Sequence, residues 1–346
     1  MWPEIDDVAL RVGEEAVTYR ELLLVGAATG LLDTAIAATT RGLQVLESGI
    51  SSPTREELRV EAVEYRQRKK LQSGEDLRSF LAQRHLETPD WEAHLRRVLA
   101  ARLPVDVPEQ ASSPDGLAEA VGVDLACNGW WGKAAHVLER YLAAVAVTGA
   151  ERTVVSSHGH SPDELARATE IVERARVVGE LELQWCVSQL QLLKVRERAL
   201  EDVEQRFGSE AAVTARVAEH AVDWMRVRFD DLCLASRSAA NEAVMCSRDE
   251  GVEPSEIATR AGGELLRMDL RRDQLAPKMA ALLGGAIVGE ALGPIESADG
   301  FHVLWLESRR PPSPDDPESR AQARSELLGE VLDRALAGRV IRVGPL

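Results

Sequence analysis

A chain of 346 residues is long enough for two or three domains. Its 45% hydrophobic content is that of a globular protein, and 4% aromatics with abundant Ala, Leu, Arg and Glu points to helix. A formal net charge of −16 argues against a nucleic-acid partner unless a local basic patch supplies one.

The nearest such patch is Arg66–Lys70 (RQRKK), and Glu57, Glu61 and Glu64 lie close by in the same helical pattern, so it reads as a solvated helix face. Cys127, Cys186, Cys233 and Cys246 are scattered and form no C-x-x-C, which predicts neither a zinc framework nor a disulfide scaffold. No cofactor is expected. The start, Met1-Trp2-Pro3-Glu4-Ile5-Asp6-Asp7, lacks the basic and apolar regions of a secretory signal. No run reaches the roughly 18 apolar residues of a membrane span. The expectation is a cytoplasmic protein with no membrane partner.

In chain order, Val8–Val12 reads as a short strand, followed by a turn at Gly13 and a helix capped by Thr18. Thr18-Tyr19-Arg20-Glu21 fits a capping box, in which hydroxyl and carboxylate satisfy free amides reciprocally. Leu31–Ser48 continues as helix and Gly49 stops it; Ser52-Pro53-Thr54 opens another that runs to about Lys70. Ser73–His85 and Thr88–Leu103 follow, each with early acidic residues. Residues 1–104 thus read as one helical module.

Pro104–Gly116 is rich in Pro, Ser and Asp and reads as a linker. In the helical stretch Gly122–Ala150, Trp130 and Trp131 stand about 100° apart and cannot share one narrow stripe. They are expected to pack, one inward and the other on a neighbouring module or a ligand. His158-Gly159-His160 brings two imidazoles together with no third ligand at a recognisable spacing, so a loop before the helix starting at Pro162 is preferred to a metal site. Further helices are expected over Glu180–Phe207 and Glu210–Trp224, completing a middle region 105–223.

From Val227 the texture changes. Val227–Leu234 favours strand; helices follow at Ser236–Asp249 and Pro254–Ala261; Gly262-Gly263 breaks the chain. Glu264–Leu270 reads as strand and Leu275–Leu283 as a helical turn or two. Gly289–Glu307, GEALGPIESADGFHVLWLE, is a hairpin of two apolar runs around a polar turn. His302 stands where its second strand begins, as a hydrogen-bonded core residue or the floor of a small pocket. The order is β-α-α-β-α-β-β over 224–311, an α+β unit with helices packed on a small sheet. After Pro311-Pro312-Ser313-Pro314, an amphipathic helix over Asp316–Leu336 occupies the final segment, 312–346.

These residues resemble the parvulin-type peptidyl-prolyl isomerases. The resemblance is best over Leu275–Glu307, with a pocket helix, a Gly-Glu turn, Gly293-Pro294 and the Gly300-Phe301-His302 ending, and Gly262-Gly263 falls where parvulins carry Gly-Gly. The module 14–104 with the terminal helix 316–336 resembles the chaperone arms of SurA-type and trigger-factor-like proteins, in which N- and C-terminal helices fold together around an inserted isomerase domain. The implied fold class is therefore α+β, mainly α. Residues 105–210 fit neither pattern well.

The resemblance implies positions for site residues. His302 stands at the family's second histidine, and Asp299 at the hydroxyl residue three before it. Leu275, Met279 and Phe301 fall at substrate-binding positions, with Met279 in place of the usual pocket Phe. The first histidine falls at Asp231 or Asp230, so the facing pair is gone. Ala258-Thr259-Arg260-Ala261 offers no counterpart of the family's Cys or Asp. His302, Asp231 and Asp299 are then the candidate catalytic residues, with little or no isomerase activity expected. The implied function is a chaperone or adaptor holding a peptide or partly folded protein, as an accessory factor in maturing a ribosomal peptide beside a peptide-modifying enzyme. The alternatives are an active isomerase and a structural subunit of a partner enzyme.

Overall fold

The computed structural model describes residues 5–50, 52–106, 114–150, 161–297 and 299–344. His158 and His160 lie outside the described residues. The chain divides into two compact units, Met1–Val203 with Val331–Leu346, and Glu204–Glu330 between them.

The first unit opens with a hairpin, β1 (Val8–Val12) and β2 (Glu15–Thr18), turning at Gly13. The second strand is short and was not expected. Thr18 ends it and caps α1 (Tyr19–Ala28): the Glu21 amide donates to Thr18 Oγ1 at 3.4 Å, and the Thr18 amide donates to Glu21 Oε2 at 3.0 Å. The same box opens α3 (Arg55–Arg68) at Thr54 and Glu57. Between them α2 (Leu31–Ser48) runs from Gly30 to Gly49, both left-handed. Then come α4 (Gly74–Ala82), α5 (Thr88–Arg102), α6 (Pro114–Asn128), α7 (Trp130–Thr148), α8 (Pro162–Ala175) and α9 (Leu183–Phe207).

One apolar core joins Leu10, Val17, Leu22, Leu23, Leu32, Leu125, Trp130, Trp131, Leu138 and Leu190. It therefore takes in helices from both sides of residue 104. Trp130 and Trp131 are both buried in it, their rings edge to face at 4.9 Å. Trp131 also meets Tyr19 edge to face at 5.2 Å. Trp130 donates its indole N–H to the Leu31 carbonyl at 3.2 Å and lies so close over Gly26 that a Cβ there would come within 2.1 Å of the ring. Neither indole is kept for a ligand, because α7 is surrounded by core on a wide arc.

A second cluster joins Tyr65, Leu81, Trp91, Leu95 and Cys127. Beside it, Asp124 accepts from Thr39 Oγ1 at 2.8 Å and from the Arg97 guanidinium at 3.1 Å and closer, and lies 2.9 Å from His94 Nδ1. All four residues are buried. Within the basic stretch, Arg68 pairs with exposed Glu64 and with Glu61, which is buried, so the stretch is only in part the solvated face expected. Among the described residues no single helix is long and apolar enough to cross a membrane.

After the second unit the chain returns as β7 (Val340–Arg342), antiparallel to β1, giving a sheet in the order β2-β1-β7. That pairing is invisible to local sequence, since three residues carry little pattern.

The second unit carries the β-α-α-β-α-β-β order. Its elements are β3 (Arg226–Leu234), α11 (Arg237–Glu250), α12 (Pro254–Ala261), β4 (Leu265–Arg271), α13 (Pro277–Gly285), β5 (Ala291–Glu296) and β6 (Phe301–Arg310). The strands form an antiparallel sheet in the order β4-β3-β6-β5. Alternation sends Leu232, Leu234, Val303 and Trp305 to one face, under α11 and α12. It sends Val227, Phe229, Leu304 and Leu306 to the other, with Leu283 and Ala286 of the α13 segment. Within this unit α10 (Glu210–Glu219) precedes the sheet and is shorter than expected; Trp224, beyond its end, stacks on His220. The terminal helix α14 (Pro317–Leu336) lays Ala323 and Leu327 against Val213, Val217 and Trp224.

Candidate functional site

The site lies at the end of the β3–β6 ladder, where the apolar face of the sheet turns polar. On β3, Val227 and Phe229 point to the face shared with α13, and alternation carries Asp231 and Cys233 to the same side. On β6, Leu306 and Leu304 are followed on that side by His302, paired directly with Cys233 across the ladder and with Ile295 on β5. The apolar pair Phe229–Leu306 is thus followed on this side by Asp231 opposite Leu304 and then by Cys233 opposite His302.

His302 is held on both ring nitrogens. Asp231 lies 2.8 Å from Nδ1 through Oδ1 and 3.1 Å through Oδ2. On the other side Nε2 lies 2.9 Å from Ser297 Oγ and 3.2 Å from Asp299 Oδ1. Ser297 and Asp299 also hydrogen-bond each other, and the Ser297 amide donates to the Gly300 carbonyl at 2.9 Å, closing the turn. Gly300 has φ +151, and a Cβ on it would meet the Leu234 carbonyl at 2.7 Å and Cys233 Sγ at 2.9 Å. Only glycine lets the turn fold onto β3 here. That approach brings Cys233 Sγ within 3.6 Å of the Asp299 carbonyl oxygen.

The electrostatics follow from the geometry. Burial pulls the His302 imidazole towards its neutral form, but hydrogen bonds to Asp231 and Asp299 outweigh it and raise its pKa. The bonds from Ser297 and His302 hold the Asp299 carboxyl down at about 2. Burial, then the nearby Asp299 and Asp231 charges, push the Cys233 thiol up. The two carboxylates thus extend the pH range over which the ring carries its proton, relative to a free histidine.

The order Asp231–His302–Ser297 matches the hydrogen-bond order of a serine nucleophile, its base and the base's orienting acid. A working relay needs an imidazole nitrogen free to accept the serine proton. When protonated, the ring donates on both sides and has no such nitrogen, and the Ser297 hydroxyl has the Asp299 carboxylate to bond. The raised pKa favours that charged form, in which the cluster holds a positive charge and contains no free base.

Of the residues predicted for the site, His302, Asp231 and Asp299 come together. Asp230, the other position considered for the lost histidine, faces the opposite way, with Arg267 Nε 3.3 Å from its Oδ1. Leu275 and Met279 are half-buried against the core on the His302 side of the sheet. Phe301 packs on the other core, beneath α11 and α12, because a neighbour in a strand must face away. Sequence reasoning missed Ser297 and Cys233. Cys233 was accessible as the i+2 neighbour of Asp231 on a strand; Ser297 needed the turn geometry.

No protein-family model and no curated protein matches the chain. Among solved structures the chain is similar to the peptidylprolyl isomerase PrsA from Bacillus anthracis, at 16% identity and TM-score 0.28 over 59% of this chain and 95% of that one. It is similar to PrsA from Bacillus cereus at 14% identity and TM-score 0.33, over 64% and 89%. A third likeness, over 62% and 89% at 10% identity and TM-score 0.21, is to the Campylobacter jejuni SurA-like chaperones PEB4 and Cj1289. Identities and scores this low leave the site and its chemistry to be read from the chain's own residues.

Proposed function

We propose that the chain is a peptide- or protein-binding chaperone or adaptor with little or no prolyl isomerase activity. The observation that supports it is the state of His302, locked on both nitrogens beside an apolar sheet face. Lowering the barrier of roughly 18–20 kcal/mol for peptide-bond rotation requires a desolvated, polarised cradle for the twisted amide. With Nδ1 taken by Asp231 and Nε2 by Ser297 and Asp299, the ring offers a client amide no free donor. Apolar surface, by contrast, remains available on this unit: Leu275 and Met279 are half-buried on the His302 side of the sheet, and the segment after α13 separately exposes Ile287 (74%) and Val288 (62%). An extended apolar client gains burial there without any chemistry being done on it.

The four cysteines are free thiols, which suits the reducing interior of a cell. A narrower form of the reading gives the client as a ribosomal peptide presented to a modifying enzyme. Its sign is co-purification of both with the full chain.

The direct test is fluorescence anisotropy with a labelled, extended Leu- and Pro-rich peptide. Wild type is expected to bind, and the double variant Ile287→Glu/Val288→Glu to bind about tenfold or more weakly, since each lost apolar contact is worth about 1.5–3 kcal/mol at full burial. Equal affinity of the two proteins refutes the reading. A protease-coupled X-Pro assay should give no rate above the uncatalysed one; a rate abolished by His302→Ala would make the chain an isomerase instead.

A further inference from the structure

We propose that Cys233, His302 and Asp299 form a binding site for a borderline transition-metal ion of the Zn²⁺ class. The three donors come from separate places: Cys233 from β3, His302 from its pairing partner on β6, and Asp299 from the turn between β5 and β6. Sγ, a ring nitrogen and a carboxylate oxygen lie within 4.8 Å of one another. In a tetrahedral zinc shell, bonds of about 2.0–2.3 Å put ligand atoms about 3.3–3.6 Å apart. The Nε2 to Asp299 Oδ1 distance is already 3.2 Å, and the Asp299 side chain is 71% exposed, so it has the freedom to settle. From an upper bound of 4.8 Å, reaching the tetrahedral spacing asks for about an ångström of approach between the donor atoms.

A second feature points the same way. Asp231 holds Nδ1 of His302 at 2.8 Å. A carboxylate on the far nitrogen is the usual outer partner of a metal-bound histidine: it fixes the ring and leaves Nε2 as the ligand atom. The backbone supports the arrangement too, since the turn reaches Cys233 only because residue 300 has no Cβ. On binding, the Cys233 thiol loses its proton to solvent and coordinates as thiolate, and Nε2 of the imidazolium gives up its proton and coordinates through its lone pair. Nδ1 keeps the proton shared with Asp231. Ser297 Oγ, 2.9 Å from Nε2, or a water takes the fourth position. One sulfur, one imidazole and one carboxylate select Zn²⁺, Co²⁺, Ni²⁺ or Cd²⁺ over Mg²⁺ and Ca²⁺, which prefer all-oxygen shells.

The inference is independent of peptide binding and is tested without peptide. Co²⁺ is titrated into the metal-free full chain and followed by absorbance. The expected result is one equivalent bound, with a thiolate-to-cobalt charge-transfer band that Zn²⁺ abolishes. The band should disappear in Cys233→Ser and remain in Cys246→Ser. Asp231→Asn should weaken binding about 10–100-fold while keeping the band.

A second measurement does not depend on any variant folding. Cys127 and Cys186 are buried, whereas Cys233 and Cys246 are both partly exposed. Alkylation of wild type, read by mass spectrometry, should be slowed by Zn²⁺ at Cys233 and not at Cys246. The absence of a cobalt–thiolate band in wild type, a band that persists in Cys233→Ser, or equal alkylation at Cys233 with and without Zn²⁺ overturns the proposal.

Discussion

Asp124 shows what a single buried charge does in this protein. Burial alone would raise its carboxyl, but hydrogen bonds from His94 and Arg97 outweigh it and hold the pKa below the ordinary value. A depressed folded-state pKa means stability fully present above the unfolded value, about 4, and lost as pH falls through the folded value. The protection factors of the α2, α5 and α6 amides, that is, exchange relative to the intrinsic rate at each pH, are therefore expected to fall below about pH 4 in wild type. Asp124→Asn should lose part of that acid dependence. Asp124→Ala should cost about 3–5 kcal/mol at neutral pH, because the Arg97 guanidinium is left buried without its partner. Protection of these helices that is unchanged in Asp124→Ala would show that the network contributes nothing. His302 and Asp231 make a similar pair, yet towards the end of the central strands of a sheet rather than between helices. The same chemistry gives structure in one place and a ligand-ready corner in the other.

The elements divide into those that announce themselves and those that do not. Thr18 and Thr54 open capping boxes of the same type, and both are legible in sequence. They differ in what the helix behind them carries: α1 buries Leu22, Leu23 and Val25 in the main core, while α3 buries Glu61 and Tyr65. Thr18→Ala should cost about 1 kcal/mol, read as faster exchange of the α1 amides with α3 unaffected. An equal quickening in α3, or no change in α1, would contradict the role of the box. The α+β order from β3 to β6 was also legible, because alternating strands, caps and glycine breaks are local signals. The two strands β2 and β7 were not: each is too short for a period-two pattern to stand out. Phe301 illustrates a different limit. Its place in a Gly-aromatic-His run suggested a site residue, but strand parity put it on the face opposite His302. Trp130 and Trp131 show a third, since a helix ringed by neighbours can bury adjacent residues that an amphipathic pattern would separate.

At the scale of the whole molecule, the first unit is made from two ends of the chain. Residues 1–203 and 331–346 share it, and the second unit is the insertion between them. Ending the chain after Leu336 removes β7 and leaves β1 with an open edge beside buried Ala9 and Leu10. Such an edge is a template for pairing with other chains. The truncated protein is expected to bind hydrophobic dye and to aggregate at concentrations where the full chain stays monodisperse, as light scattering would show. Unchanged scattering would mean that β7 is dispensable.

The pairing of β1 with β7 also sets a timetable for biosynthesis. The inserted unit is made in full before β7 is, so the first hairpin waits for its third strand. At about 5–20 residues per second, the interval from Thr18 to Arg342 is roughly 15–65 s. For that time the nascent chain carries an unfinished sheet, its β1 edge open until β7 is made.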